Sequence, residues 1–209
     1  MRKDILTPSV QATMTPDSVL EQLKSGNSRY TQNNVTHSDH NELRLASVAG
    51  QAPKAIVLSC IDSRVVVEEV FDQALGDVFV ARVAGNFVNT DIVASMEYAC
   101  KVAGSKLIVV LGHEGCGAVK AACDGVQLGN ITSLLANIQP AVDAVKSKVA
   151  EPHSSENSDF VNASIIENVT HTIGQIRSIS PILAELESTG DIAIKGGVYQ
   201  LASGEVKWI

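Results

Sequence analysis

Two apolar runs of strand length, each emptying into a turn rich in metal-binding side chains, constrain this chain more than any other feature. Ala55-Ile56-Val57-Leu58-Ser59 leads into Cys60-Ile61-Asp62-Ser63-Arg64, and Leu107-Ile108-Val109-Val110-Leu111 leads into His113-Glu114-Gly115-Cys116-Gly117. Strands this uniformly apolar suit a parallel sheet covered on both faces. Residues just past the carboxyl ends of such strands line the crevice where ligands bind. Cys60, His113 and Cys116 delivered there form the soft-to-borderline donor set that Zn²⁺ prefers. Three protein donors rather than four leave one position for water or substrate, which points to a zinc hydrolase or hydratase. The competing chemistry is a cysteine nucleophile with His113 as its base. The Cys60-to-Arg64 stretch, however, lacks the longer anion-cradling loop that a phosphate-cleaving thiolate needs.

A net charge of −7 and the absence of any basic run exclude nucleic acid as the natural partner. With 45% hydrophobic and 19% charged residues in 209, the composition is that of one globular domain, residues 1–209. Four cysteines in a chain this long make no disulfide framework. Cys100 and Cys123 lie in Ala-rich helical surroundings and read as inert core thiols. No stretch reaches the roughly 18 apolar residues needed to span a bilayer, and no apolar segment follows Met1-Arg2-Lys3 to make a signal peptide. The expectation is a cytoplasmic protein with no membrane partner, or a periplasmic one if a longer precursor is trimmed.

Along the chain, residues 1–14 read as irregular. Thr15-Pro16-Asp17 then starts a helix with a hydroxyl cap, Pro at the first helical position and an acid in the first turn. Its stripe of Leu20, Leu23 and Tyr30 is interrupted by Asn27. This helix and the polar stretch to Gln51 form an N-terminal helical arm, residues 1–50, expected to pack on its own domain or on a neighbouring subunit. Val65–Phe71 reads as a short helix, Asp77–Val83 as a second strand, and Thr90-Asp91 as the cap of a helix closed by Gly104. Residues 131–150 look helical with Pro140 as a kink or break. Phe160–Ile179 is a helix with Ile165, Val169, Ile173 and Ile176 on one face. Ser180-Pro181 opens a further short helix that ends at Gly190. Ile192-Ala193-Ile194 with Val198-Tyr199 gives strand four, and Ser203-Gly204 turns the chain into a Glu205–Trp208 edge strand. The fold class expected is α/β: a mostly parallel sheet with an antiparallel edge, flanked by helices.

Asp62 and Arg64 stand two apart beside the first donor. A surface ion pair is the plain reading; the functional one is a guanidinium that grips and aims a carboxylate. Next to zinc, Asp62 either accepts a hydrogen bond from water or becomes a fourth ligand.

At these residues the chain resembles the β-class carbonic anhydrases. Cys60-x-Asp62-x-Arg64 corresponds to the family's first signature and His113-x-x-Cys116-Gly117 to its second. The similarity extends over Gly26-Asn27-x-Arg29-Tyr30, Gln51-x-Pro53, Phe79-Val80-x-Arg82, Ala84-Gly85-Asn86, Glu97-Tyr98 and the terminal hairpin. The resemblance implies Zn²⁺ held by Cys60, His113 and Cys116, with Asp62 and Arg64 as the catalytic dyad. It implies a narrow pocket for CO₂ and bicarbonate near Gln51, Phe79, Tyr98 and Gly117, often at a dimer interface, and a homodimer or homotetramer. One departure stands out: members gated by non-catalytic bicarbonate commonly carry Trp three residues before the first ligand, where this chain has Val57. Relatives acting on carbon disulfide leave that substrate open. His37, His40, His153 and His171 read as solvated or helix-surface residues, and Asn34, Asn130, Asn162 and Asn168 as chance glycosylation sequons.

Overall fold

A computed structural model describes all 209 residues. Five strands, β1 (Ala55–Ser59), β2 (Val78–Arg82), β3 (Leu107–His113), β4 (Ala193–Tyr199) and β5 (Val206–Trp208), form one sheet in the order β2-β1-β3-β4-β5. The first four are parallel, and β5 returns antiparallel along β4. Ser59 aligns with Leu111, so the carboxyl ends of β1 and β3 open side by side at one edge of the sheet.

Side chains alternate across β1 and β3, as the pleat requires, and each face has its own helical cover. Ala55, Val57, Leu107 and Val109 meet Val19 and Leu23 of α2 (Pro16–Thr31), which follows the short α1 (Pro8–Gln11). The same face carries Val67 and Val70 of α4 (Val67–Val70), whereas α3 (His40–Ala46) buries Leu43. On the other face, Ile56, Leu58, Ile108 and Val110 lie beneath α5 (Thr90–Glu97), α6 (Gly117–Cys123), α8 (Gln139–Val145), α9 (Ser158–Ile179) and α10 (Pro181–Ser188), with α7 (Gly129–Leu135) alongside. No helix is long and apolar enough to cross a membrane.

Thr15 caps α2 as expected, in a reciprocal capping box with Ser18. That helix packs on the chain's own sheet rather than standing away from it, because Val19 and Leu23 are fully buried there. Asn27, the polar break in its stripe, is a clamp. Its amide donates to Val70 O and Gly204 O and accepts from Val206 N, tying α2 to the last hairpin. Gly26 sits beneath it, where a Cβ would come within 1.9 Å of Phe71 O.

Residues 131–150 divide into α7 and α8 with Pro140 in the first turn of the second, as the expected break at Pro140 allows. Other boundaries differ from those read in the sequence. The α5 cap is Asn89, whose Oδ1 accepts from Ile92 N, rather than Thr90 or Asp91. Strand four runs unbroken through Lys195-Gly196-Gly197. The glycines there admit α9: a Cβ on Gly196 would meet Val169 Cγ1 at 2.7 Å, and one on Gly112 would meet Val169 Cγ2 at 2.8 Å. Val169 is thus seated over two bare backbones, and α9 lies flush on the sheet.

Candidate metal centre

Cys60 follows β1, His113 ends β3, and Cys116 closes the turn before α6, so strand pairing alone brings the three together. Their donor atoms lie within 4.8 Å of one another and all three residues are buried. The two sulfurs are 4.0 Å apart. Tetrahedral zinc with Zn–S bonds of about 2.3 Å would set them about 3.8 Å apart. His113 Nδ1 lies 2.9 Å from Glu114 O, which fixes the proton there and leaves Nε2 with a free lone pair. That Nε2 is buried with no hydrogen-bond partner. An orphaned imidazole nitrogen beside two close sulfurs is costly unless a cation occupies their focus, so the residues fit a tetrahedral metal.

Without metal, the Cys60 thiol is held well below the usual thiol range. The Cys116 S–H donating to its sulfur is the main cause, the Gly85 N–H adding to it; Cys116 is correspondingly pushed up. Asp62 belongs to the same focus, its Oδ2 3.9 Å from His113 Nε2. Arg64 grips both its oxygens, Nε to Oδ1 at 2.9 Å and Nη2 to Oδ2 at 2.8 Å, while the Arg64 backbone N–H adds a third bond at 3.0 Å. This bidentate grip holds the carboxyl far below the ordinary carboxylate range.

Two braces escaped the sequence reading. Arg82 donates to the carbonyls of Cys60 (2.9 Å) and Asp62 (2.6 Å), fixing the backbone on either side of Ile61. Glu114 accepts from Leu201 N at 3.1 Å, pinning the second turn to the end of β4. A signal for Arg82 was present, since it closes a strand whose neighbour ends in the first donor.

The structure gathers only part of the expected substrate pocket. Gly117 adjoins Cys116 at the start of α6. Phe79 aligns with Ile56, four residues short of Cys60 and about 13 Å down the strand. It packs edge-on against Tyr98 at 6.3 Å, both lining an apolar groove of about 500 Å³ along the free edge of β2. Gln51 enters from the amino end of β1, where Ser105 and Gln11 pin the Pro53 carbonyl, at the opposite end of the strand from Cys60. Gln51, Phe79 and Tyr98 of one chain therefore do not converge on that chain's own Cys60.

The remaining expectations divide. Val57 is fully buried under α2 in ordinary core packing. Burial raises Cys100 to about 12, as suits an inert thiol. His37 and His40 are exposed. His153 is instead packed, 2.9 Å from Val149 O and stacked on Phe160 at 4.9 Å, and His171 buries its Nε2. Of the four sequon asparagines, Asn168 is buried at 1% exposure, which excludes it as a glycan site in the folded chain.

A family model described as carbonic anhydrase matches residues 55–206. The carbonic anhydrase of Mycolicibacterium smegmatis is 36% identical over 193 residues, covering 92% of each chain. Carbonic anhydrase 2 of Mycobacterium tuberculosis is 35% identical over 190 residues, covering 90% of each. Among solved structures, a Coccomyxa β-carbonic anhydrase in complex with acetazolamide superposes with a TM-score of 0.69 at 25% identity, covering 98% of this chain and 86% of the other. The chain belongs to the β-class carbonic anhydrases, enzymes whose general reaction is the hydration of carbon dioxide.

Proposed function

We propose that this chain catalyses the reversible hydration of CO₂ to bicarbonate and a proton, with zinc held by Cys60, His113 and Cys116. The observation that carries the metal assignment is the unpartnered His113 Nε2, buried beside two sulfurs 4.0 Å apart. A zinc ion in that donor set supplies the Lewis acidity that makes water nucleophilic near neutral pH. Asp62 accepts the hydrogen bond that orients the attacking water, and Arg64 keeps that carboxylate turned to its task by holding both oxygens. Arg82 and the Gly85 N–H hold the Cys60 loop still while CO₂ enters.

The displaced pocket residues support a homo-oligomer. A second copy lying along the free edge of β2 would bring its Gln51, Phe79 and Tyr98 to the neighbour's Gly117, completing each site from two chains. The free cysteines suit a reducing compartment, which favours the cytoplasm. On this reading residues 1–209 act as one domain, with the α2 region part of its core.

Stopped-flow CO₂ hydration with metal content measured on the same sample tests the proposal. Turnover proportional to bound zinc is expected. Fully zinc-loaded protein without hydration activity, or full activity in metal-free protein, would overturn it.

A further inference from the structure

The buried face of α9 carries polar residues at helical spacing that the apolar stripe does not explain: Ser164, Asn168 and Thr172, each at most 1% exposed. One of them reaches toward the metal centre. Asn168 Nδ2 donates to Gly85 O at 2.8 Å, and Gly85 N donates to Cys60 Sγ at 3.4 Å. We propose that Asn168 is a positioning residue for the metal centre, holding the Gly85 backbone so that its N–H stays aimed at the Cys60 sulfur. The proposal rests on the reading of Cys60 as a metal ligand.

Gly85 sits in a turn whose own closing bond leaves its carbonyl to Asn168. Its φ of +82° is open chiefly to glycine, whose backbone is the least self-restrained. The next residue, Asn86, is also left-handed at φ 42°, and its N–H closes the turn on Val83 O at 3.0 Å, a bond that does not engage the Gly85 carbonyl. Ile138 closes one side of Gly85 without fixing its rotation, since an apolar contact has no direction.

Asn168 supplies the missing direction, and it is an expensive residue for that place. Its Oδ1 is buried without a partner. A leucine of similar size would avoid that penalty and extend the apolar stripe of α9. The side chain reaches Gly85 because α9 lies flush on Gly112 and Gly196, the neighbouring Val169 being seated over both. An N–H bonded to a ligating thiolate draws charge from sulfur, and outer partners of this kind typically change metal affinity or activity about 10–100-fold when removed.

The test uses full-length protein loaded with ¹¹³Cd for NMR and with Co²⁺ for absorption. In the parent, the Gly85 amide proton should show scalar coupling to cadmium through the sulfur. Asn168→Leu should lose most of that coupling and move the thiolate-to-cobalt charge-transfer band to longer wavelength. It should also weaken metal binding about 10-fold. Thr172→Val, one turn along the same buried face, should leave all three readouts at parental values. Asn168→Ala replaces the leucine variant if that chain does not fold. No coupling in the parent, or coupling and band unchanged in the Asn168 variant, overturns the proposal. A parent that binds neither metal overturns the metal-centre reading itself, which separates the two failures.

Discussion

Gly85→Ala should cost stability in two separable parts. Alanine at φ +82° leaves the region L-residues favour, at about 1–2 kcal/mol. Its Cβ would also fall 2.4 Å from Ile138 Cδ1 and 3.3 Å from Cγ1, and overpacking of that kind costs about 1–3 kcal/mol. The sum is about 2–5 kcal/mol, or a fall in melting temperature of about 4–20 °C for a chain this long. Ile138→Val removes Cδ1, the atom nearest the clash, and alone costs about 0.5–1.5 kcal/mol. In the double variant the overpacking part should return while the backbone part stays, giving a favourable coupling of about 1–3 kcal/mol. Urea unfolding of the four metal-free proteins measures the cycle without interference from metal binding. Additive losses, or a Gly85→Ala protein as stable as its parent, would show that Ile138 does not press on this turn.

Cys60→Ala or Cys116→Ala should release zinc and abolish CO₂ hydration, read by metal content and stopped-flow on one sample; near-stoichiometric zinc with parental activity would remove that residue from the ligand set. Arg64→Lys keeps the charge but cannot engage both Asp62 oxygens, so zinc should stay bound while hydration falls by a factor on the order of 10², the scale of an ångström's misplacement. Because Arg64 holds the Asp62 carboxyl far below its ordinary value of about 3.9, the Asp62 ¹³C carboxyl shift should stay flat from about pH 4 upward; a titration step in that range would mean the grip is absent in solution. Gln51→Ala and Asp62→Ala, each inactive alone, should recover about a quarter of parental activity when mixed after subunit exchange, since half the molecules pair unlike chains and each such pair holds one intact site. No recovery despite demonstrated exchange would place Gln51 within its own chain's site.

The meeting of Cys60, His113 and Cys116 was legible because each follows a strand signal closely, and strand ends decide which residues meet. Asp62 and Arg64 were legible for the same reason, lying in the same short turn. The placing of Phe79 and Tyr98 was harder: a single sequence does not show that they line the free edge of β2, away from Cys60. Lys195-Gly196-Gly197 joins the two apolar pieces of strand four, and the bare Gly196 there lets Val169 approach, a contact no local pattern shows. Asn168 went unnoticed among sequons because its partner, Gly85, is remote in sequence. The polar repeat at 164, 168 and 172 beside an apolar stripe was the only sign that this face of α9 does more than pack.

The register that sets Ser59 beside Leu111 makes the donor cluster a product of completed folding. Cys60 on one strand end and His113 on another have no reason to meet in the unfolded chain, so under the proposed zinc reading the metal would favour the native state. Metal supply would then be a stability variable: ion at 100 times its dissociation constant, with no affinity for the unfolded chain, would add about 2.7 kcal/mol to the folded state. A cell short of the metal would hold not only less active protein but less protein, as the metal-free chain unfolds more often and is degraded from that state.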